Sequence, residues 1–446
     1  MIKYTMQSTG KNIVRAIACL LLFTLSSTIV QAATPGMHQA DDITFTATPV
    51  SKDALFKGGV PIQYNISLVN SLPTVQSGKI TYRITGMNGK FLAEDSLVIK
   101  LAANGDRQLL LNMPSRQIGL YKISLMINVS DYDDTIRRVF GVDVDKIKSA
   151  YAKPADFDQF WKNTKTELAK VKPNFRMTEM KDSVTKDNRK LYLVEMQSLD
   201  NITIRAWLTI PISKNKNKKC AVLLGLPGYQ VNLKPGYGDD PDFAVMYLNV
   251  RGQGNSRDVI HTDRTGFISY NIEDKDRYVM RGVIMDCIRA IDFIYTRPEL
   301  DKDKIVVTGG SMGGYLSAAL AGLDNRVKIY SAQNPILCDV RNLSTTEWPM
   351  DDIMRYAKIR PELTPDKIYG ILDYFDAKNF ATGISGNILV GMGLLDNLAP
   401  PQTVFAFYNN IPKDKKLMVF DNLAHEVGPS YVIYQGRWSR DLFGMF

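Results

Sequence analysis

Between about Asp42 and Asp145 the chain alternates apolar and polar positions with a period of two. The runs Ile43-Thr44-Phe45-Thr46-Ala47, Ile62-Gln63-Tyr64-Asn65-Ile66-Ser67-Leu68 and Lys79-Ile80-Thr81-Tyr82-Arg83-Ile84 show it most clearly. Gly119–Leu125 and Arg138–Val142 continue it. Successive side chains of a strand point to opposite faces, so this alternation marks strands with one buried face. Turn pairs such as Asn88-Gly89 and Asn104-Gly105 separate the runs. About seven short strands with such turns, and no helical period longer than a turn, predict an immunoglobulin-like β-sandwich over residues 42–145. Tyr64, Tyr82 and Tyr121 fall on the alternation and are expected in the core or on a sheet face. The module therefore reads as a spacer or docking unit rather than a sugar platform. From Tyr151 the texture changes to unbroken apolar runs alternating with helical periodicity. That is the pattern of a mostly parallel sheet covered by helices, expected over residues 151–446. The predicted class is α/β, preceded by an all-β domain.

Within the second unit one hexapeptide carries chemistry. Gly309-Gly310-Ser311-Met312-Gly313-Gly314 follows the apolar run Ile305-Val306-Val307 and opens a small-residue helical stretch, Tyr315–Ala321. A serine on a sharp strand-to-helix turn needs neighbours with almost no side chain, and Gly309 and Gly313 supply the G-x-S-x-G elbow of an α/β-hydrolase fold. The turn lifts the serine oxygen above the sheet and aims the Met312 N–H at a developing oxyanion. A serine hydroxyl also needs a base, usually histidine. The chain has three: His38, His261 and His425. His38 precedes the first strand and His261 lies in a charged loop upstream of the serine. His425 follows the strand-like run Leu417–Phe420 and a short loop, the expected place of the base in the chain order Ser, Asp, His. Asn387–Gly393 reads as the preceding strand, and Asp396 just after it is the expected acid that orients the imidazole. Asp421 is the rival and reads as a turn residue in the histidine's own loop. Cys220–Gly225 reads as the third hydrolase strand. In its loop, Leu226-Pro227-Gly228-Tyr229, the Tyr229 N–H is a candidate second oxyanion donor. An ordinary Pro-Gly turn is the alternative reading of the same residues.

Together these residues resemble carbohydrate esterase family 7, the acetyl xylan esterases and cephalosporin C deacetylases, from about Tyr151 to Phe446. The resemblance is carried by Pro154–Trp161, Asn249-Val250-Arg251-Gly252-Gln253-Gly254-Asn255-Ser256, Arg281–Ala290, Asp373–Asn379, Pro400–Ala406 and His425-Glu426, in that order. It implies a serine esterase that removes acetyl or other small acyl groups from plant-polysaccharide sugars. Ser311, Asp396 and His425 fall on the triad positions, and Tyr229 and Met312 on the oxyanion-hole positions. It implies an acetylated saccharide as partner and no metal or organic cofactor. It also implies homo-oligomers, hexamers in that family, which an added N-terminal module would block or alter. Three departures stand out. Met312 replaces the usual glutamine, Pro227 replaces a histidine two residues before the tyrosine, and Asn397-Leu398-Ala399 lies beside the acid. All three are expected to reshape the substrate pocket.

Targeting and charge add compartment. Lys3, Lys11 and Arg15 precede the apolar stretch Ala16–Val30, which ends in Val30-Gln31-Ala32. This reads as a secretory signal over residues 1–32, its apolar run shorter than the ~20 residues of a membrane span. Export to the periplasm or the extracellular space is expected, with no membrane attachment after cleavage. Cleavage lowers the formal charge from +9 to about +6. The basic run Lys214–Lys219 reads as a solvated loop, not a nucleic-acid site. Cys220, Cys287 and Cys338 show no metal-ligand spacing and are expected as buried thiols. Residues 334–372 are the expected rim, with Trp348, Met350, Met354 and Tyr356 as candidate walls. Two other functions compete. Gly-Gly-Ser-x-Gly-Gly-Tyr also suits a prolyl-oligopeptidase-type peptidase, but about a hundred unrepeated residues cannot build that family's propeller. A catalytically idle glycan-binding protein is the other.

Overall fold

The computed structural model describes residues 42–181, 188–212, 219–238, 240–262, 266–412 and 414–445. The signal-like segment, His38 and most of the Lys214–Lys219 run lie outside them.

The period-two region folds into eight strands: β1 (Ile43–Pro49), β2 (Leu55–Phe56), β3 (Ile62–Asn70), β4 (Gln76–Gly86), β5 (Phe91–Leu101), β6 (Asp106–Met113), β7 (Gly119–Val129) and β8 (Tyr132–Val142). They form two sheets of order β1-β3-β6 and β2-β8-β7-β4-β5, antiparallel except for the two-residue β2–β8 pair. The alternation is legible as burial: Ile62, Tyr64, Ile66 and Leu68 of β3 face Ile80, Tyr82 and Ile84 of β4 and Ile123, Leu125 and Ile127 of β7 in one core. Phe56 bridges the sheets, with its ring 6.2 Å from Tyr64 and 6.0 Å from Phe140. The result is a β-sandwich, as the pattern predicts.

The remaining strands form one sheet: β9 (Arg176–Glu179), β10 (Arg189–Gln197), β11 (Thr203–Pro211), β12 (Cys220–Leu226), β13 (Phe243–Asn249), β14 (Leu300–Gly310), β15 (Ile329–Gln333), β16 (Asn387–Gly393) and β17 (Lys415–Phe420). Their order is β17-β16-β15-β14-β12-β13-β11-β10-β9. The six strands from β17 to β13 are parallel, and β11, β10 and β9 add an antiparallel edge. Strands covered on both faces read as unbroken apolar runs, which is why Ile305–Val307 and Ile388–Val390 carry no alternation. The helices are α1 (Phe157–Lys170), α2 (Val279–Tyr295), α3 (Met312–Leu323), α4 (Met350–Lys358), α5 (Pro365–Leu372), α6 (Ala377–Ala381), α7 (Pro401–Asn410) and α8 (Pro429–Leu442).

Buried polar networks tie loops far apart in sequence to this frame. Arg251, after β13, forks onto Asp286 of α2 through Nε at 3.0 Å and Nη2 at 2.8 Å, and Asp286 also accepts the Arg251 N–H. Both side chains are almost fully buried. Removing one partner of such a pair costs about 3–5 kcal/mol, because the other charge is stranded. Asp376 accepts from the backbone of Asp339 and Val340 and from Lys378 Nζ at 3.0 Å, fixing the turn before α6. At the junction of the two units, Asn409 of α7 donates to Val144 O and Ile147 O at 2.7 and 2.8 Å. Ser149 donates to Asp339 nearby. Cys220, Cys287 and Cys338 are buried, and burial pushes the Cys287 and Cys338 thiols well up, away from the reactive thiolate. Among the described residues no helix is long and apolar enough to cross a membrane, and no group of three His, Cys, Asp or Glu could hold a metal ion.

Candidate active site

The site forms at the C-terminal ends of the parallel strands, where open α/β sheets place their ligands. Between β14 and α3, Ser311 takes φ 59° and ψ −119°. A non-glycine residue there is strained, at about 1–3 kcal/mol, and the surroundings hold it. The Ser311 N–H donates to Gln333 O at 2.9 Å, and Ser311 O accepts from Tyr315 N at 3.0 Å. A Cβ on Gly313 would lie 2.4 Å from Leu226 O, and one on Gly309 2.6 Å from the Gly313 backbone. The elbow is thus clamped against the end of β12, so the two glycines are steric requirements.

The candidate acid follows β16. Asp396 is 2 % exposed, and its carboxylate is saturated by four donors. Oδ1 accepts from Leu398 N and Ala399 N at 2.8 and 2.9 Å. Oδ2 accepts from His425 Nδ1 at 2.8 Å and from Asn334 Nδ2 at 2.9 Å. The loops after β16 and β17 are zipped together: Leu394 N donates to Phe420 O, and Leu395 N to Leu423 O. Their approach is so close that a Cβ on Gly393 would meet Ala424 O at 2.1 Å. The His425 contact to a saturated carboxylate assigns the proton to Nδ1, leaving Nε2 as an acceptor. Among the described residues His425 Nε2 has no hydrogen-bond partner although it is closed off from water.

His425 and Ser311 line one cavity of about 510 Å³, together with Gly228, Tyr229, Val231, Trp348, Asp352 and Leu398. Tyr229 is held from three sides. Its hydroxyl accepts from Ile268 N at 3.2 Å, and its ring lies 4.9 Å from Trp348 and 5.9 Å from Phe267. Gly228 lies against the elbow, its would-be Cβ 3.7 Å from Gly310 O. The Pro-Gly turn therefore sits at the site, not elsewhere on the surface. Asp352 of α4 enters the cavity with its side chain 9 % exposed, accepting from Arg355 Nη1 at 2.9 Å.

The structure brings together Ser311, Asp396, His425 and Tyr229, with Met312 opening α3 beside the serine. His261 is not among the cavity residues. Asp421 acts electrostatically on Asp53 and Tyr64 of the sandwich and makes no bond to His425. Two expectations about the walls need correction. The Met312 side chain is fully buried, with Gln253 Nε2 3.8 Å from its sulfur, and neither it nor Pro227 lines the cavity. Of the four candidate walls only Trp348 does. Met350 is buried among helices, and Tyr356 lies beneath the Arg360 guanidinium. Asn334 and Asp352 were missed. Asn334 had one signal, its place directly after the strand beside the elbow strand; Asp352 had none, because a carboxylate in an amphipathic helix reads as a solvated face.

A strand-elbow-helix serine, with a hydrogen-bonded aspartate and histidine after the last two strands of the sheet, defines an α/β-hydrolase. The acetyl xylan esterase (AXE1) family model matches residues 140–441, and the chain belongs to that family. It is 25% identical over 413 residues to the acetyl esterase Axe7A of Xylanibacter ruminicola, covering 90% of each chain. Among solved structures it resembles the acetyl xylan esterase from Paenibacillus sp. R4, with TM-score 0.61 and 28% identity over 67% of this chain and 98% of that one. It also resembles acetyl xylan esterase 1 from Thermoanaerobacterium sp. JW/SL YS485, with TM-score 0.59 and 27% identity over the same shares. The two solved structures match about two thirds of this chain, whereas the match to Axe7A extends over 90% of it and so takes in most of the sandwich region as well.

Proposed function

We propose that this chain is an exported serine esterase that removes acetyl groups from plant-polysaccharide sugars such as acetylated xylan or xylo-oligosaccharides. The observation that carries the reading is the Asp396–His425 bond at 2.8 Å, which leaves Nε2 as an acceptor in the cavity that holds Ser311. Ser311 Oγ attacks the ester carbonyl as His425 Nε2 takes its proton. The tetrahedral oxyanion is met by the backbone N–H groups of Met312 and Tyr229. His425 then returns the proton to the departing sugar oxygen, leaving acetyl on Ser311. Water, deprotonated by the same histidine, releases acetate and restores the serine. Asp396 keeps the tautomer and stabilises the imidazolium without taking the proton. No metal enters these steps.

The cavity wall supports a sugar as leaving group. Tyr229 and Trp348 offer apolar ring surface, while Asp352 offers a carboxylate that can only accept hydrogen bonds. A polyhydroxyl alcohol has C–H faces for the rings and hydroxyl donors for the carboxylate. The test is acetate release from acetylated xylan, other acetylated glycans, acetylated xylo-oligosaccharides and cephalosporin C. Xylo-oligosaccharides are expected to give the highest kcat/KM; release from none of the saccharides would end the reading.

Asp352→Asn gives a sharper prediction. A hydrogen bond to a charged group is worth about 1.5–3 kcal/mol, so kcat/KM on a sugar acetate is expected to fall about 10- to 100-fold. The loss on 4-nitrophenyl acetate should be smaller, because that leaving group has no hydroxyl donor. Equal losses on both substrates would remove Asp352 from sugar recognition.

A further inference from the structure

A second cavity, of about 410 Å³, lies between the sandwich and the loop that carries Asp396. Its sandwich wall comes from β4, β7 and β8 and includes Lys122, Arg137 and Arg138; its other wall is Leu394, Leu395 and Asn397. Cross-strand register explains the cluster. Lys122 and Ser124 of β7 pair with Val139 and Arg137 of β8, so the two strands bring their cations to one edge of the cleft. Among the described residues none of the three cations forms an ion pair. Arg138 Nη1 donates only to Arg137 O, at 2.9 Å. Asp421 and Arg138 both act on the buried Tyr64 hydroxyl, yet they do not bond to each other. By contrast Arg205, Arg251, Arg326 and Arg341 each carry a carboxylate. Lys122 and Arg137 stand on the same face of the β7–β8 pair, Arg138 being turned to the other, and two cations without an ion pair at a concave site raise the local potential and attract an anion.

The place of the cleft says which anion. The loop after β16 has one side on each cavity: Leu398 lines the cavity of Ser311, and Asn397 lines the cleft. Both residues are exposed, forming a crest between the two cavities. Thr85, Ser124 and Asn397 add hydroxyl and amide groups to the cations, and Met87 and Leu395 add apolar surface. Cations with hydroxyls and apolar patches suit a sugar acid better than a bare inorganic ion, because a pyranose ring needs all three.

We propose that this interdomain cleft binds the carboxylate of a uronic-acid unit on the same acetylated saccharide whose ester reaches Ser311. The inference rests on the glycan-esterase reading for its substrate class. It gives the sandwich a part in substrate choice: the module supplies the cations, and the α/β unit supplies the acid loop opposite them.

The test is calorimetry on the full-length Ser311→Ala protein, which needs no turnover. One probe is a xylo-oligosaccharide bearing a single glucuronic-acid branch; the others are the unbranched oligosaccharide of equal length and inorganic phosphate. The branched probe is expected to bind about tenfold tighter than the neutral one, a difference of about 1.4 kcal/mol. The preference should shrink with added salt, as exposed charge interactions do. Lys122→Glu/Arg137→Glu should abolish it, while Arg137→Lys should retain most of it. Lys122 and Arg137 are exposed, and a melting curve checks that the variants fold. Equal affinity for the two oligosaccharides, a preference that survives charge reversal, or phosphate binding as tightly as the branched probe would each overturn the proposal. The two readings fail separately. If the wild type frees no acetate from any glycan but the acidic preference persists, the cleft stands and the esterase assignment falls. Acetate release with no acidic preference has the opposite meaning.

Discussion

Ser311→Ala is expected to lower kcat for 4-nitrophenyl acetate by on the order of 10⁶-fold, the scale seen when a serine nucleophile is removed from a Ser-His-Asp unit. The residual rate should come from carbonyl polarisation and proximity alone. The change removes one oxygen at a position whose backbone is held by Gln333 O and Tyr315 N rather than by the side chain. Folding should therefore survive, and a melting temperature within a few degrees of wild type is the control. A fluorophosphonate probe should label the wild type once, on Ser311, and leave the variant unlabelled. Turnover within tenfold of wild type in a folded, unlabelled variant would mean that the chemistry resides elsewhere. An unlabelled wild type would point instead to an idle binding protein.

What the chain discloses before folding depends on how local the physics is. Period-two alternation along β3, β4 and β7 is a local property, and it appears in the structure as buried and exposed faces. The elbow is equally local, since Gly309 and Gly313 sit beside the serine they serve. The pair Asp396 and His425 could be singled out because parallel strands are filled in a definable order and only three histidines compete. Non-local partners were illegible. Arg251 and Asp286 read only as parts of family-like segments, yet they are the two halves of one buried pair. Asp376 and Lys378 likewise read as a matched segment and prove to be a buried turn clamp. Asn334 read as the start of a rim and proves to be a donor to the acid. Met312 shows the converse. Its neighbour in sequence is the proposed nucleophile, but helix geometry turns its side chain away from the cavity toward Gln253. A departure from the family pattern at that position thus changes the core beneath the site, whereas Leu398 changes the cavity itself.

Asp396→Asn is expected to lower kcat on aryl acetates by about 10⁴-fold, and hydrogen-bond counting gives the reason. The native carboxylate meets donors at both ends: Leu398 N and Ala399 N at Oδ1, His425 Nδ1 and Asn334 Nδ2 at Oδ2. Asparagine offers one acceptor end and one donor end. Turning its NH₂ toward Leu398 and Ala399 sets it against two backbone N–H groups and breaks the turn. Turning it toward His425 loses only the Asn334 bond, but it then donates to Nδ1 and drives the ring proton to Nε2. That tautomer cannot take the proton from Ser311. The second orientation strands fewer donors and should prevail, leaving a folded protein with the wrong imidazole. Nitrogen-detected NMR of the His425 ring should show the proton on Nε2 in the variant and on Nδ1 in the wild type. Asp421→Asn is the matched comparison, because that carboxylate acts on the sandwich side and makes no bond to His425; its kcat should stay within a few-fold of wild type. A loss below tenfold in Asp396→Asn, or a larger loss in Asp421→Asn, would transfer the acid's role to another residue and with it the account of how His425 is oriented.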